Sequence, residues 1–298
     1  MYMSQSLGQP SDGQAAVNTL RSGAAGRSPR ESLAVVLLLL LSLALFFWPA
    51  VLGGRVLLPA DLIFEVDPLW RPLAPDGWTQ SANQLLSDQV YLYYPWSVLA
   101  RRSLAQGQIP LWNPYAGAGL PFVGNAQSAL FSPFTLVAYL LPLHASYVIT
   151  AILRLLVAGV FTYLFAREIG IARRGALLAM VAFTFSGPMI VWLGYPLSPV
   201  IVWLPALLFC TERALSRRST LYTLLTGVVV GAQFCGGHPQ TSFHVILVWA
   251  AYGLVRVIGV DGRRINRLAA GMLRLAGAAL LGVALAAVQL LPFLEALA

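Results

Sequence analysis

Apolar residues in this chain come in long runs, separated by short polar punctuation rather than alternating with it. About 20 consecutive apolar residues make a helix long enough to cross a bilayer. The first such run is 33–52, closed by Gly53-Gly54. The next covers 147–166 and ends at Arg167-Glu168. A third, 176–193, turns at Gly194-Tyr195-Pro196, and a fourth, 199–210, continues to Arg213. The fifth, 221–235, ends at Gly236-Gly237-His238-Pro239. The sixth is 241–258 and the seventh 268–291. The pattern predicts an all-α, polytopic transmembrane helical bundle of seven spans. Residues 131–141 are also apolar but too short to cross, so they read as interfacial or re-entrant. Counting them gives the alternative of eight spans.

Charge orients these runs. Arginines gather at 21–30, 167–174, 213–218 and 256–274, each next to the end of an apolar run. Basic residues beside spans stay in the cytoplasm. Seven spans with a cytoplasmic N-terminus put all four clusters inside. Residues 53–146 then form the first extracytoplasmic loop. An eighth span would place the second and third clusters outside.

Composition agrees. Of 298 residues, 58% are hydrophobic and only 10% charged, with a mean hydropathy of +0.74. Soluble domains carry about 25% charged residues. The net charge of +8 is explained by topology and does not call for nucleic acid. Cys210 and Cys235 fall inside apolar runs and form no disulfide framework. Residues 1–32 read as a disordered cytoplasmic tail, and 33–298 as one transmembrane domain. The chain stops at Ala298 just after a span, without a polar tail, which reads as a fragment of a longer protein.

The outer segment holds Asp61, Glu65, Asp67, Asp76 and Asp88, with Trp70, Trp78, Trp96, Trp112, Tyr91, Tyr93 and Tyr94. Such aromatics favour the membrane interface. Residues 96–106 suggest a short helix with Val98, Leu99 and Leu104 toward lipid. Its Arg101 and Arg102 would reach head-group phosphates. Residues 109–121 combine prolines and glycines into a shaped, non-helical loop. Together with Asn125 and Gln127, it has the aromatic faces and amides that suit a sugar or other polyol. An ordered cap packed on the spans is the plainer reading.

At these residues a family resemblance emerges. Ser87-Asp88-Gln89-Val90-Tyr91-Leu92-Tyr93-Tyr94-Pro95-Trp96 resembles the Asp-Gln…Tyr-x-Pro-aromatic motif of YfhO-type bacterial membrane proteins. The likeness continues through Leu111-Trp112-Asn113-Pro114 with Gly117 and Gly119, then Ser132-Pro133-Phe134, then Gln289-Leu290-Leu291-Pro292. Such proteins are similar to multi-span glycosyltransferases of the GT-C class. The resemblance implies a polyprenyl-phosphate-linked sugar donor and transfer on the outer face to a cell-envelope glycan or polymer. It also implies a catalytic carboxylate in the first outer loop. Members are usually longer, with more spans and a further extracytoplasmic part.

Inverting sugar transfer to a hydroxyl needs a general base. Asp88, between Ser87-Gln89 and the aromatic run, is the first candidate. Asp61, soon after the first span, is the second. Asp67, before Pro68, suits a turn. Tyr91, Tyr94, Trp112, Asn113, Asn125 and Gln127 are candidate substrate contacts. Arg154 lies about 10 Å into the second span at 1.5 Å per residue. It would bind the donor phosphate or snorkel outward. His238 and Gln240, in an outer turn, are candidate contacts to phosphate or acceptor, whereas His244 reads as packed core. A carboxylate pair can also hold a divalent metal, but no ligand spacing demands one. No Cys/His metal spacing, phosphate-binding glycine loop or nucleophile elbow is present. A lipid or polymer flippase, or a non-catalytic membrane subunit, is the alternative to an enzyme. The flippase needs polar groups across the membrane. Within the spans these are few: Arg154, Gln233, His244 and Gln289.

Overall fold

The computed structural model describes residues 29–261 and 265–298. Of the expected tail, 1–28 lie outside the described residues, and the remainder opens the first helix, α1 (Pro29–Phe46). Its side chains divide cleanly. Val35, Leu39, Leu43 and Phe47 are buried, whereas Leu33, Leu37, Leu41 and Leu45 are more than half exposed. Both stripes repeat every four residues, the spacing of one helix face. A helix that is apolar on its exposed face as well as its buried one is built for a lipid surround.

Beyond α1 the chain runs through short helical turns to α2 (Tyr94–Ala105). A small antiparallel hairpin follows, β1 (Trp112–Asn113) and β2 (Leu120–Pro121), with Trp112 opposite Pro121. Next comes α3 (Pro133–Tyr139), only 7 residues long, so the apolar run there is too short a helix to cross a membrane. The remaining helices are α4 (Leu143–Glu168), α5 (Arg173–Thr184), α6 (Leu204–Ser216), α7 (Thr220–Phe234), α8 (Pro239–Asp261), α9 (Ile265–Leu285) and α10 (Ala287–Leu297).

Four helices among the described residues are long and apolar enough to cross a bilayer: Leu143–Glu168, Ser198–Ser216, Pro239–Gly259 and Ile265–Leu285. Leu33–Phe46, Thr220–Phe234 and Ala287–Leu297 are apolar but shorter. Two expected continuous runs are broken. Residues 176–193 divide at Ser186, whose extended backbone precedes Gly187-Pro188, and a short helix, Gly187–Val191, starts anew there. Proline fixes its own dihedral and disfavours helix in the residue before it. The run 268–291 divides at Ala286, between α9 and α10.

Two apolar cores hold the bundle. Around α4, Leu39 and Leu43 of α1 pack with Leu155, Ala158 and Met180. A β-carbon at Gly159 would lie 2.5 Å from Leu39, so the glycine sets that approach. Around α7, Val229 and Val230 pack with Leu207, Trp249 and Ala278. Here Gly227 faces Leu281 and Gly282 faces Val230. Small residues at such crossings let membrane helices come close.

At one end of the bundle, acids latch helices together. Glu31 lies 4.0 Å from both Arg167 and Arg173 and accepts a hydrogen bond from Tyr163 at 2.5 Å. Glu168 accepts from Arg213 at 3.0 Å and Arg217 at 3.1 Å. Glu212 accepts from Tyr252 and from Arg256 Nε, both at 2.6 Å. Arginines from three of the expected clusters are thereby bound into shared contacts at one end.

Candidate functional site

A cleft opens at the other end. One wall is α2 with the turn before it. Tyr93, Ser97 and Arg101, spaced four apart, share that face. The opposite wall is α4, through Ser146, Tyr147, Thr150 and Arg154. The turn after Leu193 forms the floor, and Gln127, Ser128 and Ala129 form a side. Including its mouth, the cleft has about 900 Å³ of empty volume. Among the described residues two guanidinium groups and several hydroxyls line it, and no carboxylate does.

The 122–131 loop beside the cleft is clamped from several directions. Gln289 of α10 donates to the carbonyl of Val123 at 2.8 Å. Gly124 fits against Pro292 and Ala296, where a β-carbon would meet the Pro292 carbonyl at 2.9 Å. Gly237, with φ +96°, backs onto Ala129 so closely that a β-carbon would lie 2.8 Å from it. Tyr93 donates to Gln127 Oε1 at 3.2 Å. Within the loop, Ala126 (φ 58°) and Ala129 (φ 46°) adopt the left-handed conformation. Non-glycine residues rarely do so, and such strain gathers at functional sites.

Arg154 is deeper than its sequence context suggested, because α4 begins at Leu143, four residues before the expected span. It sits about 16 Å from that helix start at 1.5 Å per residue. In place of snorkelling, its Nε donates to the Thr150 carbonyl at 3.1 Å, and Nη2 to the Thr150 hydroxyl at 3.0 Å. Nη1 donates to the Leu193 carbonyl at 2.7 Å and to Ser198 at 2.8 Å. Among the described residues no carboxylate pairs with it. Arg101, expected at head groups, instead turns inward and donates to the carbonyls of Leu141 at 2.7 Å and Ala138 at 2.5 Å. Those carbonyls follow or end the short α3, where helical partners run out. Arg102 is exposed, and Leu99 packs on the outer core of Ala100, Phe122, Val123 and Leu130 rather than facing lipid.

The candidate carboxylates have different surroundings. Asp88 is exposed, outside the cleft, beside the Tyr93 and Tyr195 rings. Burial pushes the Tyr93 phenol up to about 12, helped by the charge of Asp88 and by Tyr195, so it stays a neutral donor at the cleft wall. Tyr195 packs edge-on to Tyr93 at 5.7 Å and donates to the Leu85 carbonyl at 2.7 Å, joining the floor turn to the Asp88 segment. Asp61 is a pin: it accepts from the Ala82 backbone N–H at 2.8 Å. Glu65 accepts from Ser81 and Gln84, and these bonds hold its carboxyl below the usual range. Asp67 accepts from Leu69 N–H at 2.9 Å, the turn expected of it.

Other candidates scatter. Of the expected substrate contacts, Gln127 and Arg154 line the cleft. Tyr91 turns away to the Leu62 carbonyl, 3.4 Å distant, and Tyr94 is exposed. Asn113 and Asn125 cap their own turns, accepting from Tyr115 N–H at 3.0 Å and Ser128 N–H at 2.8 Å. Trp112 packs on Gly119 of its own hairpin. His238 caps α8, its Nδ1 accepting from the Thr241 N–H at 3.2 Å, while Gln240 is exposed. Of the glycines before His238, Gly237 thus serves close approach to the 126–129 loop and Gly236 to Pro199 and Val200. His244, expected in the core, is exposed against Phe243. Among the described residues no group of three His, Cys, Asp or Glu is placed to hold a metal. Sequence reasoning missed Tyr93, Ser97, Ser128, Tyr147 and Thr150. Only the four-residue spacing of Tyr93, Ser97 and Arg101 signalled a shared face.

Residues 77–298 match the family model described as bacterial membrane protein YfhO. The chain belongs to the YfhO family. The match takes in the Asp88 segment, the clamped loop and both walls of the cleft. No curated protein and no solved structure matches it significantly.

Proposed function

We propose that this YfhO-family membrane protein is a GT-C-type glycosyltransferase. It takes a sugar from a polyprenyl-phosphate donor at the extracytoplasmic face and passes it to a cell-envelope acceptor. The cleft carries this reading: among the described residues two guanidiniums and no carboxylate line a cavity at the end of the bundle opposite the acid–arginine latches. Such a cavity suits an anionic group presented from lipid. The arginines of the latches support a cytoplasmic placement of that end, and with it the reading of an inside N-terminus and seven crossings, three of them by the shorter or broken apolar helices.

Chemistry follows from that placement. The acceptor hydroxyl attacks the anomeric carbon as its proton passes to a carboxylate, for which Asp88, outside the cleft but beside Tyr93 of its wall, is the first choice. A new C–O bond forms, the bond to the phosphate oxygen breaks, and the phosphate leaves with the electron pair. Cleft arginines neutralise its charge. Asp61, already bonded to the Ala82 backbone, is the lesser candidate.

A flippase is the second reading. The observation favouring it is Gln233, fully buried in α7 with neither amide atom bonded to protein among the described residues. Sugar transfer by membranes containing the protein, with a labelled polyprenyl-phosphate sugar, separates the two. Transfer abolished by Asp88→Asn supports the enzyme. Transfer by neither wild type nor variant, across several donors, moves the reading to the flippase.

A further inference from the structure

Resting on that reading of the cleft, we infer that Arg101 and Ser128 form its phosphate subsite and that Arg154 is a positioning residue. Donor counting separates the two arginines. A guanidinium has five N–H groups. Those of Arg154 make four contacts, all to Thr150, Leu193 and Ser198. Its task is to hold the floor turn against α4.

Arg101 uses its two terminal nitrogens once each and keeps its Nε–H buried without a partner. The Ser128 hydroxyl is buried and unpartnered as well. Buried donors left unbonded are rare and costly. Both belong to residues lining one cleft whose lining offers no carboxylate to either. The backbone works to present Ser128: left-handed Ala126 and Ala129 flank it, and the Asn125 side chain fixes its N–H. Tyr139 lies 5.9 Å from the Arg101 guanidinium and helps hold its plane. A phosphate oxygen accepting from Arg101 Nε and Ser128 Oγ would satisfy both orphans at once.

A phosphate can reach the cleft on a polyprenyl chain, on a phospholipid or free in water, and the subsite is assigned to the first. The test is binding to the full chain in phosphatidylcholine nanodiscs, followed by the fluorescence of the cleft tryptophan, Trp96, among the chain's tryptophans. The probes are a short-chain polyprenyl monophosphate, the matching prenol, phosphatidylglycerol and inorganic phosphate. Wild type is expected to prefer the prenyl phosphate. Arg101→Gln should raise its Kd about tenfold or more, and Ser128→Ala about three- to tenfold with an unchanged melting temperature. Arg154→Gln should lower the melting temperature and move that Kd less than either. Arg101→Lys replaces Arg101→Gln if loss of the bonds to Leu141 and Ala138 prevents folding. Wild-type affinity in both the Arg101 variant and Ser128→Ala overturns the subsite. Equal binding of prenol, phosphatidylglycerol or inorganic phosphate overturns its assignment to a lipid-linked phosphate. Binding lost in these variants without sugar transfer by wild type would keep the subsite and sink the transferase reading.

Discussion

The Gln289 side chain donates to the carbonyl of Val123 at 2.8 Å, across 166 positions of sequence. Gln289 is buried, and the bond fastens α10 to the loop that forms one side of the cleft. Gln289→Leu leaves the Val123 carbonyl without that donor. The carbonyl keeps a longer bond from the Ala126 N–H at 3.3 Å, so stability should fall by only about 0.5–1.5 kcal/mol, the net worth of one hydrogen bond. Thermal melting in detergent checks it, and donor binding should weaken in the same variant.

Asp61 and Asp88 should respond differently to amidation. Asparagine at 61 still offers an oxygen to the Ala82 N–H, so Asp61→Asn should keep most sugar transfer, whereas Asp61→Ala should lower it through the loosened loop. Asp88→Asn should abolish transfer while inserting normally. Membrane transfer assays on all three variants decide. Full activity of both asparagine variants would remove carboxylate catalysis from the outer segment.

Glu212 is buried and accepts from both Arg256 and Tyr252. Glu212→Leu should cost about 1–3 kcal/mol, below the 3–5 of a fully buried broken pair, because the Arg256 side chain remains 35% exposed and reaches solvent. Chemical or thermal denaturation in detergent measures the loss. Activity per folded molecule should change little.

His238 supplies a pH dependence. Burial, then the nearby His244, lowers its imidazole below its ordinary value near 6.5. The unfolded chain therefore binds the proton more readily. The stability from neutral His238 is complete above the ordinary value and is lost as pH falls toward the depressed folded one. Melting temperature should drop as pH falls below about 6.5. His238→Asn retains an acceptor for the Thr241 N–H and should flatten that slope.

Much of the bundle is legible in the sequence because apolar runs bounded by Arg, Gly or Pro have few other ways to fold. The run 241–258 lies inside α8, and 221–235 nearly coincides with α7. The breaks were harder to read. Ser186-Gly187-Pro188 interrupts a run that is apolar on both sides of it. In the cleft, Arg154 was legible because a charge inside a span stands out. Arg101 was not: a cation in an aromatic, amphipathic stretch looks like a head-group anchor. Only the fold reveals the Ala138 and Leu141 carbonyls that turn it inward. Asn113, Asn125 and His238 look like ligand contacts in sequence, yet one acceptor atom of each is taken up by neighbouring backbone.

The latches have a direction in time. Each acid precedes its arginine partners along the chain: Glu31 waits for Arg167 and Arg173, Glu168 for Arg213 and Arg217, Glu212 for Arg256. A chain emerging from the ribosome delivers each lock before its key. The bundle can therefore close stepwise from its N-terminus, each new helix tethered to one already inserted.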